Sequence, residues 1–322
     1  MVSPVLYALL ASPILYAAWN KLLRRRRTSV IPRNQERVII LGASSGIGRS
    51  TALQYAAAGA KLCIVGRRQA ELDKVKAECL QARKSGADSA SILSIVADFT
   101  SPEDMVRLRS ELESVWSGID TLIVSAGVSA IRPLLDLAGL AKPRSVDSTE
   151  QVSAEQMHRT VNTVNRAMKG NFEGPLVAAL AFIPLLQFSS RSPSILLVSS
   201  LGAALPAPTR SVYAASKAAA LLLYQSLAIE HPAIAFTWVM PSTVQGNFRS
   251  TAVDRVDGPD IYKETKEGLK QEVVARRCIE AVDNGEKHVF MPAPFCRSGQ
   301  AMYWWIPWAT EGIARRKYNF AS

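Results

Sequence analysis

The chain has 322 residues, and 48% of them are hydrophobic, which is enough to build a core and excludes disorder along the whole length. Its four cysteines are scattered without a C-x-x-C pair, and its three histidines lie far apart in sequence, which argues against a disulfide framework and against a metal site. The formal net charge of +11 raises the question of a nucleic-acid partner.

The positive charge is concentrated at the two ends of the chain. Residues 21–37 carry seven basic groups against one acid, and residues 297–322 carry four basic groups against one acid, which leaves the body between them nearly neutral. This distribution predicts a protein at a membrane surface and no nucleic-acid partner. Two solvated basic tails are the alternative.

The first predicted element is an N-terminal membrane helix. Residues 2–19 form an uncharged apolar stretch of 18 residues. At about 1.5 Å per residue it reaches roughly 27 Å, close to the thickness of a bilayer's hydrocarbon core. Five basic residues follow between positions 21 and 27, which predicts that the rest of the chain faces the cytosol. We therefore expect an anchor over residues 1–23 and a basic linker over 24–35; an apolar helix lying on the membrane or on the domain is the alternative.

Seven short apolar runs then alternate with longer helical patterns. The predicted strands are 37–41, 61–65, 92–97, 120–124, 194–199, 233–240 and 288–291, and the predicted helices are 47–58, 69–83, 102–117, 153–188, 211–230 and 264–283. Continuous Ile/Val/Leu runs are typical of strands buried on both faces. The alternation predicts an α/β fold, a doubly wound, seven-stranded parallel sheet with helices on both faces. Ser153 and Gln156 predict a capping box at the start of helix 153–188.

Two long segments, 129–152 and 241–263, interrupt this alternation. Loops of this length in a compact domain are usually functional or disordered. Both follow strands, so they leave from the carboxyl edge of the sheet, where such sheets bind their ligands.

A glycine-rich turn follows the first strand. The sequence LGASSGIG at 41–48 places Gly42, Gly46 and Gly48 at the start of the first helix. Glycines allow a tight turn and a close approach of the backbone, and the helix N-terminus offers free N–H groups to a pyrophosphate. The pattern predicts a dinucleotide site; a glycine-rich turn without a ligand is the alternative.

Tyr213 and Lys217 lie four residues apart in SVYAASKAAALLL, on one face of a predicted helix. A phenol ordinarily has a pKa of about 10, and a neighbouring ammonium favours its ionised form. Ser200 lies just beyond a buried strand, thirteen residues before Tyr213. Its hydroxyl could hold a substrate oxygen beside the phenol. Taken singly, Tyr213, Lys217 and Ser200 could each have a structural role instead of a catalytic one: a packed tyrosine, a surface lysine and a capping serine.

In this order and spacing, LGASSGIG, SAG at 125–127, Asn171 in GNFEGP, Ser200 and YAASK at 213–217 resemble the short-chain dehydrogenase/reductase family over about residues 36–292. The resemblance implies a Rossmann-type catalytic domain over 36–292 and an NAD(P)-dependent oxidoreductase acting on CH–OH or C=O groups. It also implies a homodimer or tetramer. The apolar N-terminus and the aromatic, basic tail resemble a membrane-anchored branch of the family.

The resemblance assigns four catalytic residues. It implies that Tyr213 is the general acid that protonates a carbonyl oxygen during reduction, or the base during oxidation. It implies that Lys217 binds the nicotinamide ribose and lowers the tyrosine pKa, and that Ser200 orients the substrate oxygen. Asn171 is expected to help hold a water that relays protons to Lys217.

The resemblance also assigns a set of cofactor-binding residues. Besides Tyr213 and Lys217, they are Gly42, Ser44, Ser45, Gly46, Ile47, Gly48, Arg67, Arg68, Asp98, Phe99, Ala126, Gly127, Pro241, Thr243 and Val244. Gly66 stands where NAD-preferring relatives usually have an acid, and the two arginines that follow can pair with a 2′-phosphate. We therefore expect NADP(H) to be preferred over NAD(H), with solvated arginines as the alternative. Asp98 could equally cap the next helix.

Several positions depart from the family pattern. Val124 and Ser125 replace the paired asparagines before Ala-Gly, and Gly246 replaces the threonine that normally bonds the nicotinamide carboxamide. Thr243 and Asn247 are the candidate substitutes for that threonine. These losses leave open a second hypothesis, a non-catalytic nucleotide-binding scaffold or redox sensor at the membrane.

The C-terminal residues 293–322 are predicted to associate with the membrane. AMYWWIPWA at 301–309 holds three tryptophans ahead of three basic residues at 315–317, a pattern typical of interfacial segments. An aromatic cluster packed on the core or in a dimer interface is the alternative. A tethered reductase predicts a hydrophobic, lipid substrate; acyl-dihydroxyacetone phosphate is suggested by the resemblance, and ketosphinganine, sterols and retinoids are alternatives. We expect the endoplasmic reticulum or the peroxisome as its location.

Overall fold

The computed structural model describes residues 26–83, 91–140, 151–255 and 264–320, so the predicted anchor at 1–23 lies outside the described residues. Seven strands form one parallel sheet in the order β3-β2-β1-β4-β5-β6-β7. They are β1 Arg37–Leu41, β2 Lys61–Gly66, β3 Ile92–Val96, β4 Thr121–Val124, β5 Ser194–Val198, β6 Ala235–Pro241 and β7 His288–Met291. All seven predicted strands are confirmed, with bounds within two residues of those expected.

Helices cover both faces of the sheet, which confirms the doubly wound architecture. They are α1 Gly46–Ala57, α2 Gln69–Ala82, α3 Pro102–Trp116, α4 Leu134–Leu137, α5 Ala154–Met168, α6 Gly174–Ser189, α7 Ser211–Glu230, α8 Gln271–Asp283, α9 Ala293–Trp305 and α10 Pro307–Lys317. One apolar core joins the sheet to α3, α6 and α7. A second core joins the opposite face to α1, α2 and α8.

The alternation of side chains along each strand explains why its sequence is apolar throughout. In β1, Ile39 and Leu41 belong to one core, whereas Val38 and Ile40 belong to the other. Because successive side chains of a strand point to opposite faces, a sheet covered on both sides needs apolar residues at every position. Fully burying each of these side chains contributes about 1.5–3 kcal/mol.

Two predicted helices differ from the observed ones. The capping box of Ser153 and Gln156 is confirmed at the start of α5, but the long helix is interrupted by a π-helical turn at Lys169–Glu173 before α6. The helix predicted over 264–283 begins only at Gln271. The preceding residues are extended and form bridges to residues 244 and 246, and the positive φ of +110° at Gly268 is incompatible with a helix.

The basic residues just before β1 are bound to the domain. Arg27 is buried, pairs with the Glu36 carboxylate, and donates to the backbone oxygen of Asp120 at 2.9 Å. Arg33 also pairs with Glu36 and reaches Asp283 at 2.6 Å. Part of the segment predicted as a basic linker is thus packed on the sheet, with its charges neutralised by buried carboxylates.

The C-terminal residues form a helical hairpin, α9 and α10, that contacts β7 and lines the large cleft at the carboxyl edge of the sheet. Its tryptophans face outward: Trp304, Trp305 and Trp308 are 79%, 85% and 75% exposed. These exposures rule out the alternative in which the three rings pack on the core of this chain, and they leave the predicted membrane association and the alternative of a dimer interface as predictions.

Two described segments are long and apolar enough to cross a membrane by length and composition alone, Ala154–Ser189 and Ser211–Glu230. The inner faces of α6 and α7, which belong to these segments, pack in the core against the sheet, and core helices commonly pass such a test. Their outer faces nevertheless expose large apolar side chains, namely Leu180, Phe188, Leu222 and Ile229.

Candidate active site

A cleft of about 2090 Å³ runs along the carboxyl edge of the sheet. It is larger than the roughly 300–1,000 Å³ of a drug-sized ligand site, so it has room for a dinucleotide together with a substrate. Nearly every predicted site residue lines it. Two predicted site residues, Gly48 and Asn171, do not line the cleft and are buried behind its lining residues.

The turn after β1 forms a cradle that only glycine can build. Gly42 and Gly46 have φ angles of +88° and +61°, and a Cβ at Gly42 would lie 2.5 Å from the backbone nitrogen of Ala126. A Cβ at Gly48 would lie 2.2 Å from the backbone oxygen of Gly42, so Gly48 packs the helix against the turn instead of reaching the cleft. The N-cap Ser45 makes no side-chain bond to the helix, and the first turn carries no acid. The cradle therefore fits a pyrophosphate at the N-terminus of α1.

Two arginines and two hydroxyls lie at the far end of the cradle, after β2. Arg68 Nη2 donates to Ser44 Oγ at 3.2 Å and lies 3.5 Å from Ser45 Oγ. Arg67 and Arg68 are both exposed and both line the cleft. Glu71 also lines this end, with its carboxylate 3.2 Å from Lys74 Nζ.

The predicted adenine-contacting pair after β3 takes two different roles. The Asp98 carboxylate accepts bonds from the backbone nitrogen and the hydroxyl of Thr100, so it stabilises the turn before α3. The alternative in which Asp98 caps that helix is wrong, because the N-cap is Ser101, whose hydroxyl accepts from the backbone nitrogen of Asp104. Phe99 lies against Gly174, where a Cβ would come within 2.2 Å of its ring. Both residues line the cleft.

Helix α7 presents Tyr213 and Lys217 to the cleft one turn apart. Ser200 caps the short turn after β5, where its Oγ accepts from the backbone nitrogen of Gly202 at 3.1 Å, and it hydrogen-bonds to the Tyr213 phenol. The Lys217 ammonium donates to the backbone oxygen of Val198 at 3.3 Å. The structure thus brings the three predicted polar groups together.

The electrostatics of the pair differ from the expectation. Burial raises the pKa of the Tyr213 phenol above its ordinary value, and the bond from Ser200 and the charge of Arg210 oppose that rise. Burial also lowers the pKa of Lys217 to about 8. The phenol is therefore protonated near neutral pH, as a proton donor must be, and the groups that hold its pKa down are Ser200 and Arg210.

Asn171 lies in the π-helical turn, and such turns are frequent at functional sites. Its Oδ1 accepts from the backbone nitrogen of Val128 at 2.9 Å, and its Nδ2 donates to the backbone oxygen of Val128 and to Ser216 Oγ, both at 3.0 Å. The side chain therefore fixes the loop after β4 against α7. The water relay to Lys217 stays a prediction.

Three residues around Tyr213 were not predicted. The guanidinium of Arg210 lies 5.9 Å from the Tyr213 ring centroid, and the Phe248 ring lies edge-on at 6.1 Å. Tyr318, from the end of the C-terminal hairpin, hydrogen-bonds to Arg210. Arg210 could have been predicted from the sequence, because it precedes Tyr213 by only three residues. Phe248 and Tyr318 are distant from Tyr213 in sequence, and only the fold brings them to the site.

The loop after β6 brings the proposed substitutes for the missing threonine to the cleft. Thr243 and Asn247 both line it, as does Val244, which was predicted to bind the cofactor. Gly246 has a φ of +117°, a conformation that a threonine would not adopt. Ser125, in place of an asparagine, also lines the cleft.

A family model described as short chain dehydrogenase matches residues 36–256. The chain belongs to the short-chain dehydrogenase/reductase family. As such it is an oxidoreductase that acts on hydroxyl or carbonyl groups with a nicotinamide cofactor.

Among members of the family, the chain is similar to 11-beta-hydroxysteroid dehydrogenase A of Sesamum indicum, to which it is 30% identical over 293 residues. The aligned region covers 87% of this chain and 75% of that protein. It is 27% identical over 279 residues to dehydrogenase/reductase SDR family member 7B of Bos taurus, covering 85% of this chain and 78% of that protein. The resemblance to the member 7B branch is confirmed.

Two solved structures share the fold. An alcohol dehydrogenase from Thermococcus sibiricus, complexed with 5-hydroxy-NADP, has a TM-score of 0.59 at 21% identity and covers 79% of this chain and 94% of its own. The apo form of LigD from Sphingobium has a TM-score of 0.63 at 21% identity. The match covers 84% of this chain and 94% of the LigD chain.

Proposed function

We propose that the protein is an NADPH-dependent oxidoreductase that reduces the ketone of a hydrophobic, lipid substrate, or oxidises the corresponding alcohol. One observation carries this proposal. Ser200, Tyr213 and Lys217 meet in the same cleft as the glycine cradle that fits a pyrophosphate. A phenol proton donor thus lies beside the place where a nicotinamide would end.

The roles of the side chains follow from their contacts. A nicotinamide held by the glycine cradle and Lys217 would supply the hydride for the carbonyl carbon. Tyr213 donates its proton to the carbonyl oxygen, and Ser200 hydrogen-bonds to that same oxygen. Lys217, buried with its ammonium anchored on the Val198 backbone oxygen, would bind the ribose hydroxyls of the cofactor. Asn171 fixes the loop after β4 that forms the wall opposite.

The preference for NADPH is supported by Arg67 and Arg68 after β2. Their guanidinium groups are exposed at the adenosine end, and the Ser44 hydroxyl bonded to Arg68 adds a further donor for a 2′-phosphate. Replacing both arginines by Gln should raise the Kd for NADPH at least about tenfold and leave that for NADH nearly unchanged. Calorimetry checks this, and Arg276→Gln, an exposed arginine of α8, is the control. An equal loss for both cofactors would contradict the preference.

A hydrophobic substrate is supported by the lining of the cleft beyond Tyr213. Leu205 and Phe248 line this part, and the hairpin adds Phe295, Met302 and Ile313. An acyl or sterol-like body could lie against these side chains.

The proposed membrane association rests on the exposed Trp304, Trp305 and Trp308 and on the basic residues that follow them in α10. Replacing the three rings by Ala should reduce sedimentation of the chain with anionic vesicles. Membrane fractions of the endoplasmic reticulum and peroxisome, probed by protease from the cytosolic side, test the proposed location and orientation. A chain recovered only in the soluble fraction would contradict it.

We also propose a homodimer or tetramer through the exposed apolar residues of α6 and α7, since these faces lie outward beside the catalytic pair. Light scattering of the full chain in detergent tests this. A monomer that keeps full activity would contradict it.

The decisive activity test measures NADPH consumption with a panel of carbonyl lipids by the wild type and by Tyr213→Phe. The panel includes three ketones, namely acyl-dihydroxyacetone phosphate, ketosphinganine and a ketosteroid, and one aldehyde, retinal. We expect turnover of at least one ketone and a loss of about 10²-fold or more in the variant, which still binds NADPH. Equal rates in both proteins would remove Tyr213 from its role. No NADPH binding at millimolar concentration would favour the scaffold hypothesis, which the lost asparagines and threonine motivate.

A further inference from the structure

Arg210 occupies a position that joins the catalytic tyrosine to two other parts of the fold. Its Nη1 donates to the backbone oxygen of Ala130 at 3.2 Å and lies 3.5 Å from Ser129 Oγ, both in the loop after β4. Its guanidinium lies 5.9 Å from the centroid of the Tyr213 ring, and Tyr318 hydrogen-bonds to it from the C-terminal hairpin. The guanidinium is thus held in place from several sides.

Among the described residues, few charged groups other than Arg210 act on the ionisation of the Tyr213 phenol. Lys217, on the same helix as Tyr213, directs its ammonium toward the backbone oxygen of Val198. Tyr318, on the hairpin, is the other titratable group acting on the phenol, and as an anion it would oppose ionisation. From the loop after β6, Arg249 adds positive charge beside Arg210. Arg210 is therefore the cation whose charge acts on the phenol in the described structure.

We propose that Arg210 is a positioning residue for Tyr213, because its guanidinium holds the ring and supplies the positive charge that stabilises the tyrosinate formed when the proton passes to the substrate oxygen. The second half of this inference rests on the proposed function, in which hydride adds to the carbonyl carbon while the phenol proton goes to the oxygen. Arg210 itself neither gives nor takes a proton, since a guanidinium stays charged in proteins.

The distance sets the size of the expected effect. The guanidinium lies 5.9 Å from the centroid of the Tyr213 ring, over which part of the tyrosinate charge is spread. A unit charge at roughly that distance, at an effective dielectric between that of a protein surface and that of water, moves a pKa by roughly 0.5 to 2 units. Arg210 is half-buried, so a value near the middle of that range, about 1 unit, is expected. The direction is fixed: removing the cation raises the pKa of the phenol.

The experiment follows the ionisation of Tyr213 and needs no turnover. The full chain is labelled with ¹³Cζ-tyrosine, the Tyr213 signal is assigned by its absence in Tyr213→Phe, and its shift is followed with pH. We expect Arg210→Gln to raise the phenol pKa by about 1 unit and Arg210→Lys to leave it near the wild-type value. Arg276→Gln, on the exposed face of α8, is the matched control.

The enzymatic arm uses alcohol oxidation, in which Tyr213 must first lose its proton. The rise of kcat with pH should move up by the same amount in Arg210→Gln and return in Arg210→Lys. Should Arg210→Gln not fold, Arg210→Met provides a second uncharged side chain of similar length.

The outcomes separate the two proposals. A shifted phenol pKa in a protein that turns over none of the ketones would leave the role of Arg210 in place and overturn the proposed function. An unchanged phenol pKa in both uncharged variants, with turnover intact, would overturn the role of Arg210. A loss of activity that Arg210→Lys does not restore, without a shift in the pH profile, would also overturn it, since it would show a purely structural contact.

Discussion

Burial of the Lys217 ammonium should make the wild-type protein less stable than a variant that lacks the charge. Its side chain is 5% exposed, and burial lowers its pKa from 10.5 to about 8. That shift corresponds to about 3 kcal/mol of unfavourable free energy while both the folded and the unfolded chain carry the proton. Lys217→Met removes this cost and loses one hydrogen bond, worth about 1 kcal/mol, so it should raise the free energy of unfolding by about 2 kcal/mol.

The pH dependence of this gain follows from the direction of the shift. Below pH 8 both states of the wild type are protonated, so the full cost is present. Between pH 8 and 10.5 the folded state releases its proton before the unfolded state does, so wild-type stability rises with pH. The advantage of Lys217→Met should therefore be largest below pH 8 and fade toward pH 10.5.

Urea unfolding of the full chain in detergent, at pH 6.5 and at pH 9.5, measures both effects. Lys61→Met, which changes an exposed lysine at the start of β2, is the control and should show little change at either pH. In parallel, Lys217→Met should lose most of its reductase activity. A variant that is no more stable than the wild type, or a gain of equal size at both pH values, would refute the electrostatic reasoning.

Three further predictions concern the buried ion network, the glycine cradle and the pH profile. Glu36→Gln leaves two arginines without their shared carboxylate and should lower the free energy of unfolding by about 3 kcal/mol, measured in urea; an unchanged midpoint would show that the network adds nothing. Gly48→Ala places a Cβ 2.2 Å from the Gly42 oxygen, so it should lower the free energy of unfolding by about 1–3 kcal/mol and weaken NADPH binding. Gly312→Ala, which has open space around it, is the control and should do neither. Equal effects of the two substitutions would contradict the close packing at Gly48. The rate of ketone reduction should fall as the pH rises through about 8, where the Lys217 ammonium loses its proton, and a profile flat to pH 10 would contradict this.

The sheet and the cofactor turn could be predicted because their signals are local. Strands buried on both faces leave continuous apolar runs such as RVIIL at 37–41, and the turn after β1 needs glycines at fixed offsets. The Tyr213 and Lys217 pair was also visible, since a spacing of four places two side chains on one helical face. Each of these patterns is set by neighbours in the chain.

The parts that sequence reasoning missed depend on distant partners. Nothing near Arg27 in sequence shows that it will be buried against the backbone oxygens of Asp120 and Ser192, which precede β4 and β5 and lie about ninety residues or more later in the chain. The same holds for Tyr318, which meets Arg210 only because the hairpin folds back over the cleft. A helix over 264–270 was expected from periodicity, but Gly268 and the bridges to the loop after β6 favour an extended chain.

The described N-terminal and C-terminal segments lie at opposite edges of the sheet, and this constrains the membrane association proposed above. Arg27 is bonded to the backbone oxygens of Asp120 and Ser192, just before β4 and β5, so this segment docks at the amino edge. Four residue steps separate Arg27 from position 23, the end of the proposed anchor, and they span at most about 14 Å. The tryptophan-bearing hairpin lies over the carboxyl edge. For both ends to touch one membrane, the strands must lie broadside along its surface, and the mouth of the cleft then opens sideways at the level of the lipid headgroups.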